Sequence, residues 1–392
     1  MRWTLLGTLA VALAGSCAAQ GGPDRAELNT LKGELRQALV ASKLDEAVAK
    51  VKTISTADSK LGALILLGLA HNNTPSPVYD AACEGLATMT APDVGSMFTR
   101  KCQRGRPEEQ LMITDALAIR AGSFAELNLT ALLQNSPDPR VQRGALVALQ
   151  RAKLSDAQTA IATWIEQAQP TQPILLATSI LHAFSEGKAG EAAPGPSCAG
   201  APILGNHVVF AVDVSAPMGE EGRLDTAKAL LLESIQALGP EQRFTILAFS
   251  GHTLEGLAEP PLVKQAYPET VDGVTWLRAL GPRVEFARDL WLDKAKAFVE
   301  GLEPAGDDAF ALRALEAAVR VPVADAVVLI TSGRFTDVDH TASARHTAES
   351  FLAAFRAANR PTRLVIDVRT FAADPTLEEL AASTGGTYVE LK

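Results

Sequence analysis

The spacing of apolar residues changes once along the chain, near residue 190, and that change constrains the fold more than any other feature. From Asp24 to about Lys188 apolar residues recur every three or four positions, the mark of amphipathic helices, with Ser-Pro, Asp-Pro, Gly and Asn-Asn at the turns. From residue 205 onward, short continuous apolar runs alternate with helical segments. The first of these runs, His207-Val-Val-Phe-Ala-Val212, has the composition of a parallel strand buried on both faces. Residues 189–204 are small, rich in Pro and Gly and without periodicity, and read as a linker. The expected organisation is therefore a leader at 1–20, a helical domain at 21–188, the linker at 189–204 and an α/β domain at 205–392.

Charge divides at the same place. Residues 20–190 carry 17 basic and 17 acidic side chains, whereas residues 191–392 carry 18 and 28, which accounts for the chain's net −9. An acidic balance excludes non-specific nucleic-acid binding, which needs clustered Lys and Arg. A hydrophobic fraction of 47% with 21% charged residues excludes a disordered chain.

Met1–Gln20 has one early positive charge, Arg2, an apolar run Leu5–Ala14 and then small residues. That is the layout of a secretory signal peptide, and its apolar run is too short for a permanent transmembrane helix. Two processing routes compete. Leu13-Ala14-Gly15-Ser16-Cys17 resembles a bacterial lipobox, with Cys17 as the lipidated residue. Cys17-Ala18-Ala19 reads equally as a small-x-small cleavage site releasing a soluble chain. Either route implies export to the periplasm or cell envelope, with membrane contact only through a lipid anchor. Export permits disulfides. Cys83 and Cys102, on neighbouring helical segments, are the expected pair, with Cys198 left over in the linker.

In the first half, helical segments are expected near 24–41, 44–54, 58–71, 77–88, 107–120, 124–134, 139–152, 155–168 and 173–185. Asp138 caps the segment opened by Pro139, and Ser155 caps the next, whose inner stripe is Ala157, Ile161 and Trp164 or Ile165. The stretch Leu132–Ile165 resembles a HEAT-type repeat, although a generic helical bundle has the same periodicity. Stacked pairs would offer a concave surface to another protein. The basic stretch Arg100–Arg106 reads either as part of such a surface or as a solvated loop.

In the second half, strands are expected at 207–212, 243–249, 326–330, 363–371 and 387–391. Helices are expected at 224–238, 289–301, 309–320, 341–358 and 375–383. This alternation is that of a doubly wound, Rossmann-like α/β domain, with its site beyond the carboxyl ends of the strands. Asp213-Val214-Ser215-Ala216-Pro217-Met218 follows the first strand. Gly306-Asp307-Asp308, Val328-Leu-Ile-Thr-Ser-Gly333 and Glu379-Leu-Ala-Ala-Ser-Thr-Gly-Gly-Thr-Tyr388 follow in order. Together they resemble a von Willebrand factor type A domain over roughly 205–392. The resemblance implies a protein-binding, non-enzymatic domain whose crevice holds one divalent cation, usually Mg²⁺, through hydroxyl and carboxylate oxygens.

Three of the five ligand positions depart from the family pattern. Asp213 and Ser215 match, but Pro217 stands where a Ser is usual, Asp308 where a Thr is, and Ser332 where an Asp is. One reading is an empty, vestigial site on a structural scaffold. The other is a rearranged Mg²⁺ or Ca²⁺ site made of Asp213, Ser215, Asp308 and Ser332, with Asp307 as a spare. A third role for Asp213 is simply to accept hydrogen bonds from loop amides. No phosphate loop, nucleophile elbow or zinc motif occurs. His340 and His346 are not on one helical face, and Ser250-Gly251-His252 reads as a loop rather than a nucleophile beside a base. The expected function is capture of a protein partner at the envelope, with no catalytic residue and no nucleic acid.

Overall fold

The computed structural model describes residues 22–152, 157–186, 195–251, 269–271, 274–281, 284–335, 338–339 and 344–392. The leader with Cys17, the Ser155 cap, His252, His340 and the first part of the linker lie outside these residues.

Ten helices occupy the first half: α1 (Arg25–Val40), α2 (Leu44–Ser55), α3 (Lys60–Leu67), α4 (Ser76–Thr88), α5 (Pro92–Arg104), α6 (Pro107–Arg120), α7 (Gly122–Asn135), α8 (Pro139–Arg151), α9 (Ala157–Gln167) and α10 (Ile174–Glu186). Consecutive helices pack as pairs, and the pairs stack in two rows. One row runs α2, α4, α6, α8, α10 and the other α1, α3, α5, α7, α9. The Asp138 cap forms as its sequence demands, its carboxylate accepting from the Arg140 amide at 2.9 Å. Ala157, Ile161 and Trp164 are buried. Among the described residues no helix is long and apolar enough to cross a membrane.

Three expectations in this half are corrected. The basic stretch 100–106 is not a loop: it is the last turn of α5, a helix not foreseen, and the start of α6. Pro92 opens α5, and Val94, Met97, Phe98 and Cys102 form its buried stripe. Lys101 is spent on Glu109 at 2.8 Å. Cys83 and Cys102 are not bridged, because each buried thiol faces a different neighbour. Cys83 Sγ points at the Met112 carbonyl of α6, 3.9 Å away, and Cys102 lies in the stripe of α5. Burial pushes both thiols up, Cys102 to about 12. Residues 197–202 are not linker either. They form a hairpin of β1 (Ser197–Cys198) and β2 (Ala201–Pro202) whose Cys198 is a buried, free thiol.

The second half continues with β3 (His207–Asp213), a 3-10 turn at Ala216–Gly222, α11 (Arg223–Gln236), β4 (Arg243–Phe249), β5 (Glu269–Val271), β6 (Val274–Ala279) and β7 (Glu285–Phe286). Then come α12 (Asp289–Glu300), α13 (Ala311–Val319), β8 (Ala326–Thr331), β9 (Val338–Asp339), β10 (Ala344–Arg345), α14 (Ala348–Asn359), β11 (Val365–Thr370), α15 (Pro375–Thr384) and β12 (Tyr388–Glu390). The main sheet runs β12-β11-β8-β3-β4-β6-β5, with β7 also on β4. Its first five strands are parallel, and β5, β6 and β7 are antiparallel additions. Helices α13, α14 and α15 cover one face and α11 and α12 the other. Buried on both sides, β3 alternates its side chains between the two cores, Val209 and Ala211 to one and Val208, Phe210 and Val212 to the other. Each such Val or Phe contributes about 1.5–3 kcal/mol. The helix expected from residue 341 begins only at Ala348, after the β9–β10 hairpin.

The two halves are joined by a polar seam that closes on the turn after α14. Arg140 Nη1 donates to the Pro361 carbonyl (2.9 Å), and Arg143 donates to those of Thr362 (2.8 Å) and Arg363 (2.9 Å). In the other direction Arg360 reaches the Thr74 carbonyl and Ser76, and stacks 4.1 Å over the Tyr79 ring. Arg363 grips both oxygens of Asp115, at 2.8 and 2.7 Å, and Tyr79 donates to the same carboxylate at 2.9 Å. Arg363 has φ of +56°, a strained conformation for a side-chain-bearing residue, held by this bidentate grip. Apolar packing is continuous across the seam, since Leu204, Ala326 and Val365 belong to the helical half's core. The α4–α6–α8 row thus faces the α/β domain across a cleft of about 670 Å³.

Candidate functional site

The sheet's chain order reverses between β3 and β8, neighbours that carry Asp213 and Ser332 at their carboxyl ends. This is the switch point where an open α/β sheet leaves a crevice. Three segments, 214–216, 249–251 and 305–308, lace together there by main-chain bonds. Val214 N donates to Phe249 O (2.7 Å), Ala305 N to Val214 O (2.6 Å), Ala216 N to Gly306 O (2.8 Å) and Asp308 N to Gly251 O (3.1 Å). Two glycines are obligatory. Gly306 has φ of +73°, and a Cβ there would lie 2.2 Å from the Gly251 oxygen. Gly333 has φ of +89°, and a Cβ there would lie 2.5 Å from the Ala372 oxygen.

Asp213 is the centre of the arrangement and is fully buried. Its Oδ1 accepts from the Ser215 amide at 2.8 Å. Its Oδ2 accepts from Thr331 Oγ1 at 3.1 Å, the Ser332 amide at 3.0 Å and Ser332 Oγ at 2.8 Å. Four donors meet a carboxylate with about four lone-pair sites. A buried charge so surrounded is stabilised by its hydrogen bonds. Thr331, which the sequence does not single out, is the added member of the set. Strand alternation identifies it, because Thr331 shares the face of Val327 and Leu329.

The structure therefore brings Asp213, Ser215 and Ser332 together and places Asp308 on the adjoining loop. Pro217 opens the 3-10 turn and offers only its carbonyl, which accepts from Arg223. Asp307 is exposed, whereas Asp308 is 8% exposed, and the Arg345 guanidinium lies 3.6 Å from its Oδ1. Ser215 Oγ is buried and has no hydrogen-bond partner among the described residues. Ser250 Oγ shares that condition, and it lies beside the same interlocked loops, 3.3 Å from where a Cβ on Gly306 would sit. Among the described residues no three His, Cys, Asp or Glu side chains form a metal-binding group.

Residues 206–259 and 277–390 match the family model of the von Willebrand factor type A domain. The second half of the chain is a von Willebrand type A domain. No curated protein sequence matches the chain significantly. The match leaves the helical half outside it, and the domain's crevice is the one centred on Asp213.

Members of this family hold a hard divalent cation in that crevice, and the donors present here decide whether one fits. A divalent ion needs uncommitted charged oxygens. Asp213 has spent its acceptor positions on internal donors, Asp308 sits against Arg345, and Pro217 supplies no side-chain oxygen. Among the described residues the buried candidate ligand oxygen without a hydrogen-bond partner is a neutral hydroxyl, that of Ser215. As arranged, this donor set does not fit a resident divalent cation. The second carboxylate of the rearranged site is matched by an arginine instead.

Proposed function

We propose that the protein is a non-catalytic, exported binding protein that takes a protein partner at the Asp213 crevice of its von Willebrand type A domain. The observation carrying this reading is a crevice at the sheet's switch point whose loops are interlocked while two buried hydroxyls, Ser215 and Ser250, have no partner among the described residues. Interlocked loops present a preformed surface, so little ordering entropy is lost on binding. The helical half holds the domain in one orientation through the seam. Its inner row faces that domain over α4, α6 and α8, so this stretch of the row serves the chain itself rather than a partner. The proposed absence of a catalytic role rests on the crevice chemistry: Asp213 is committed as an acceptor, and among the described residues no nucleophile–base pair joins it.

The test is site-specific photocrosslinking in the native envelope. A photoreactive residue at Asp307, on the crevice rim, should give a discrete adduct. The same residue at Leu127, exposed on the outer face of α7, should not. Equal labelling from both positions would sink this reading. Export is checked separately by fractionation, and lipid attachment by palmitate labelling of the wild type against Cys17→Ala.

A second reading, a fixed structural scaffold, is favoured by the seam itself, which joins the halves through backbone carbonyls and a bidentate ion pair. Under that reading a bulky crevice variant, Ser215→Trp, would leave every adduct unchanged.

A further inference from the structure

We propose that Arg345 takes over the electrostatic role of the missing cation, and that the crevice receives a carboxylate side chain of its partner on this arginine, without a metal ion. The proposal rests on the reading that the crevice binds a protein, and it names the chemistry of that partner.

The argument starts from Asp308. A carboxylate only 8% exposed requires a compensating charge or dense hydrogen bonding. Arg345, on the β9–β10 hairpin, brings its Nη2 within 3.6 Å of Asp308 Oδ1. Yet 65% of the Arg345 side chain remains in solvent. A guanidinium has five N–H donors in a planar fork, and a single contact at 3.6 Å engages one edge of it. The open edge has the geometry that binds a carboxylate in bidentate fashion. Arg334 reinforces this. It lies two residues beyond Ser332, is exposed, and has no ion pair among the described residues. On the neighbouring 3-10 turn Arg223 contacts both Glu220 and Glu221 and offsets one of their two charges.

The surrounding charge makes the inference testable. The chain carries net −9, with the surplus in this domain. A polyanion is repelled by such a surface in general, so its binding would report a local cationic site rather than diffuse attraction.

The experiment uses the full chain and fluorescein-labelled hexaglutamate and hexalysine peptides, followed by fluorescence anisotropy. Hexaglutamate should bind, with the same affinity in EDTA and in Mg²⁺. Arg345→Ala should weaken it roughly tenfold or more, the loss of a charge-assisted pair. Arg345→Lys should fall between the two, because it keeps the charge and loses the fork. Arg345→Ala also strips Asp308 of its arginine, so a lowered melting temperature is expected there, whereas Arg345→Lys keeps the charge, should melt with the wild type, and separates lost binding from misfolding. Hexalysine should not bind. The proposal is overturned by no hexaglutamate binding at millimolar peptide, by its loss in EDTA, by indifference to Arg345→Ala, or by tighter binding of hexalysine. Any of these results alongside a persistent Asp307 crosslink leaves protein binding standing and removes only its arginine chemistry. Loss of the crosslink with hexaglutamate binding intact does the reverse.

Discussion

The seam between the halves and the crevice of the von Willebrand type A domain are both polar and both largely buried, but they are wired differently. In the seam, arginines from each half end on main-chain carbonyls or on Asp115, and a strained turn is held by those contacts. In the crevice, one carboxylate gathers four internal donors while the adjacent Ser215 hydroxyl is left without a partner. Dense pairing is what rigid docking requires, although Arg363 Nε in the seam has no partner among the described residues. An unsatisfied buried hydroxyl costs stability, and such costs concentrate where something is to be bound. The comparison teaches that the chain invests its strongest pairings in keeping two domains in register, and leaves two buried hydroxyls, Ser215 and Ser250, without a partner among the described residues at the mouth of the sheet.

The largest expected effect breaks the seam. Asp115→Ala removes the counter-charge of Arg363, whose side chain is only 20% exposed, and the acceptor of Tyr79. Breaking one partner of a buried pair costs about 3–5 kcal/mol. The partial exposure of both groups places the expectation at about 3, read from urea unfolding of the full chain. A loss below about 1 kcal/mol would show that the seam behaves as an ordinary surface contact.

Next comes the crevice. Asp213→Ala strands two amides and two hydroxyls, so a loss of about 2–3 kcal/mol is expected in the same assay. Asp213→Asn keeps one acceptor oxygen and should cost less. If the crevice were vestigial in the energetic sense, both variants would be silent.

A third test uses pH to separate the two regions. Burial raises the Asp138 carboxyl, but the Arg140 hydrogen bond outweighs it and holds the group below the usual carboxylate range. A depressed folded pKa adds stability that is fully present above the unfolded value, near 3.9, and is lost as pH falls through the lower folded value. Arg140 also reaches the seam at Pro361, so acid should loosen the seam. Asp138→Asn is expected to lower stability by about 1 kcal/mol at neutral pH and by almost nothing once pH has fallen through the depressed folded value. Urea midpoints across pH check it, and a constant difference at every pH would contradict the sign.

How much of this was legible in the sequence differs by region for physical reasons. The α/β alternation was readable because buried parallel strands must be continuous apolar runs, and His207–Val212 is one. The Asp213 loop was readable because it directly follows such a run. Helix α5 was hidden by its polar start and basic end, although Val94, Met97, Phe98 and Cys102 held the stripe. The β1–β2 hairpin was hidden by Pro and Gly, which suit turns as well as linkers. The seam was illegible for a simpler reason. Arg140 and Arg143 meet their acceptors some 220 positions away, and nothing local distinguishes them from solvated arginines. The rearranged ligand set was readable as a list of oxygens. Which of those oxygens were already spent depends on Thr331 and Arg345, which only the fold brings near.

The smallest expected effect is the sharpest. Ser215 Oγ makes no hydrogen bond among the described residues, so Ser215→Ala removes a polar atom whose desolvation the fold already bears. Stability should stay within about 0.5 kcal/mol of wild type or rise slightly. Ser332→Ala is the matched control at the same site. It removes a 2.8 Å bond to Asp213 and should cost about 1 kcal/mol. If Ser215→Ala instead destabilises as much as Ser332→Ala, the hydroxyl has a structural partner and the crevice is wired like the seam. If it is neutral for folding yet weakens the Asp307 crosslink, the hydroxyl is kept for what enters the crevice.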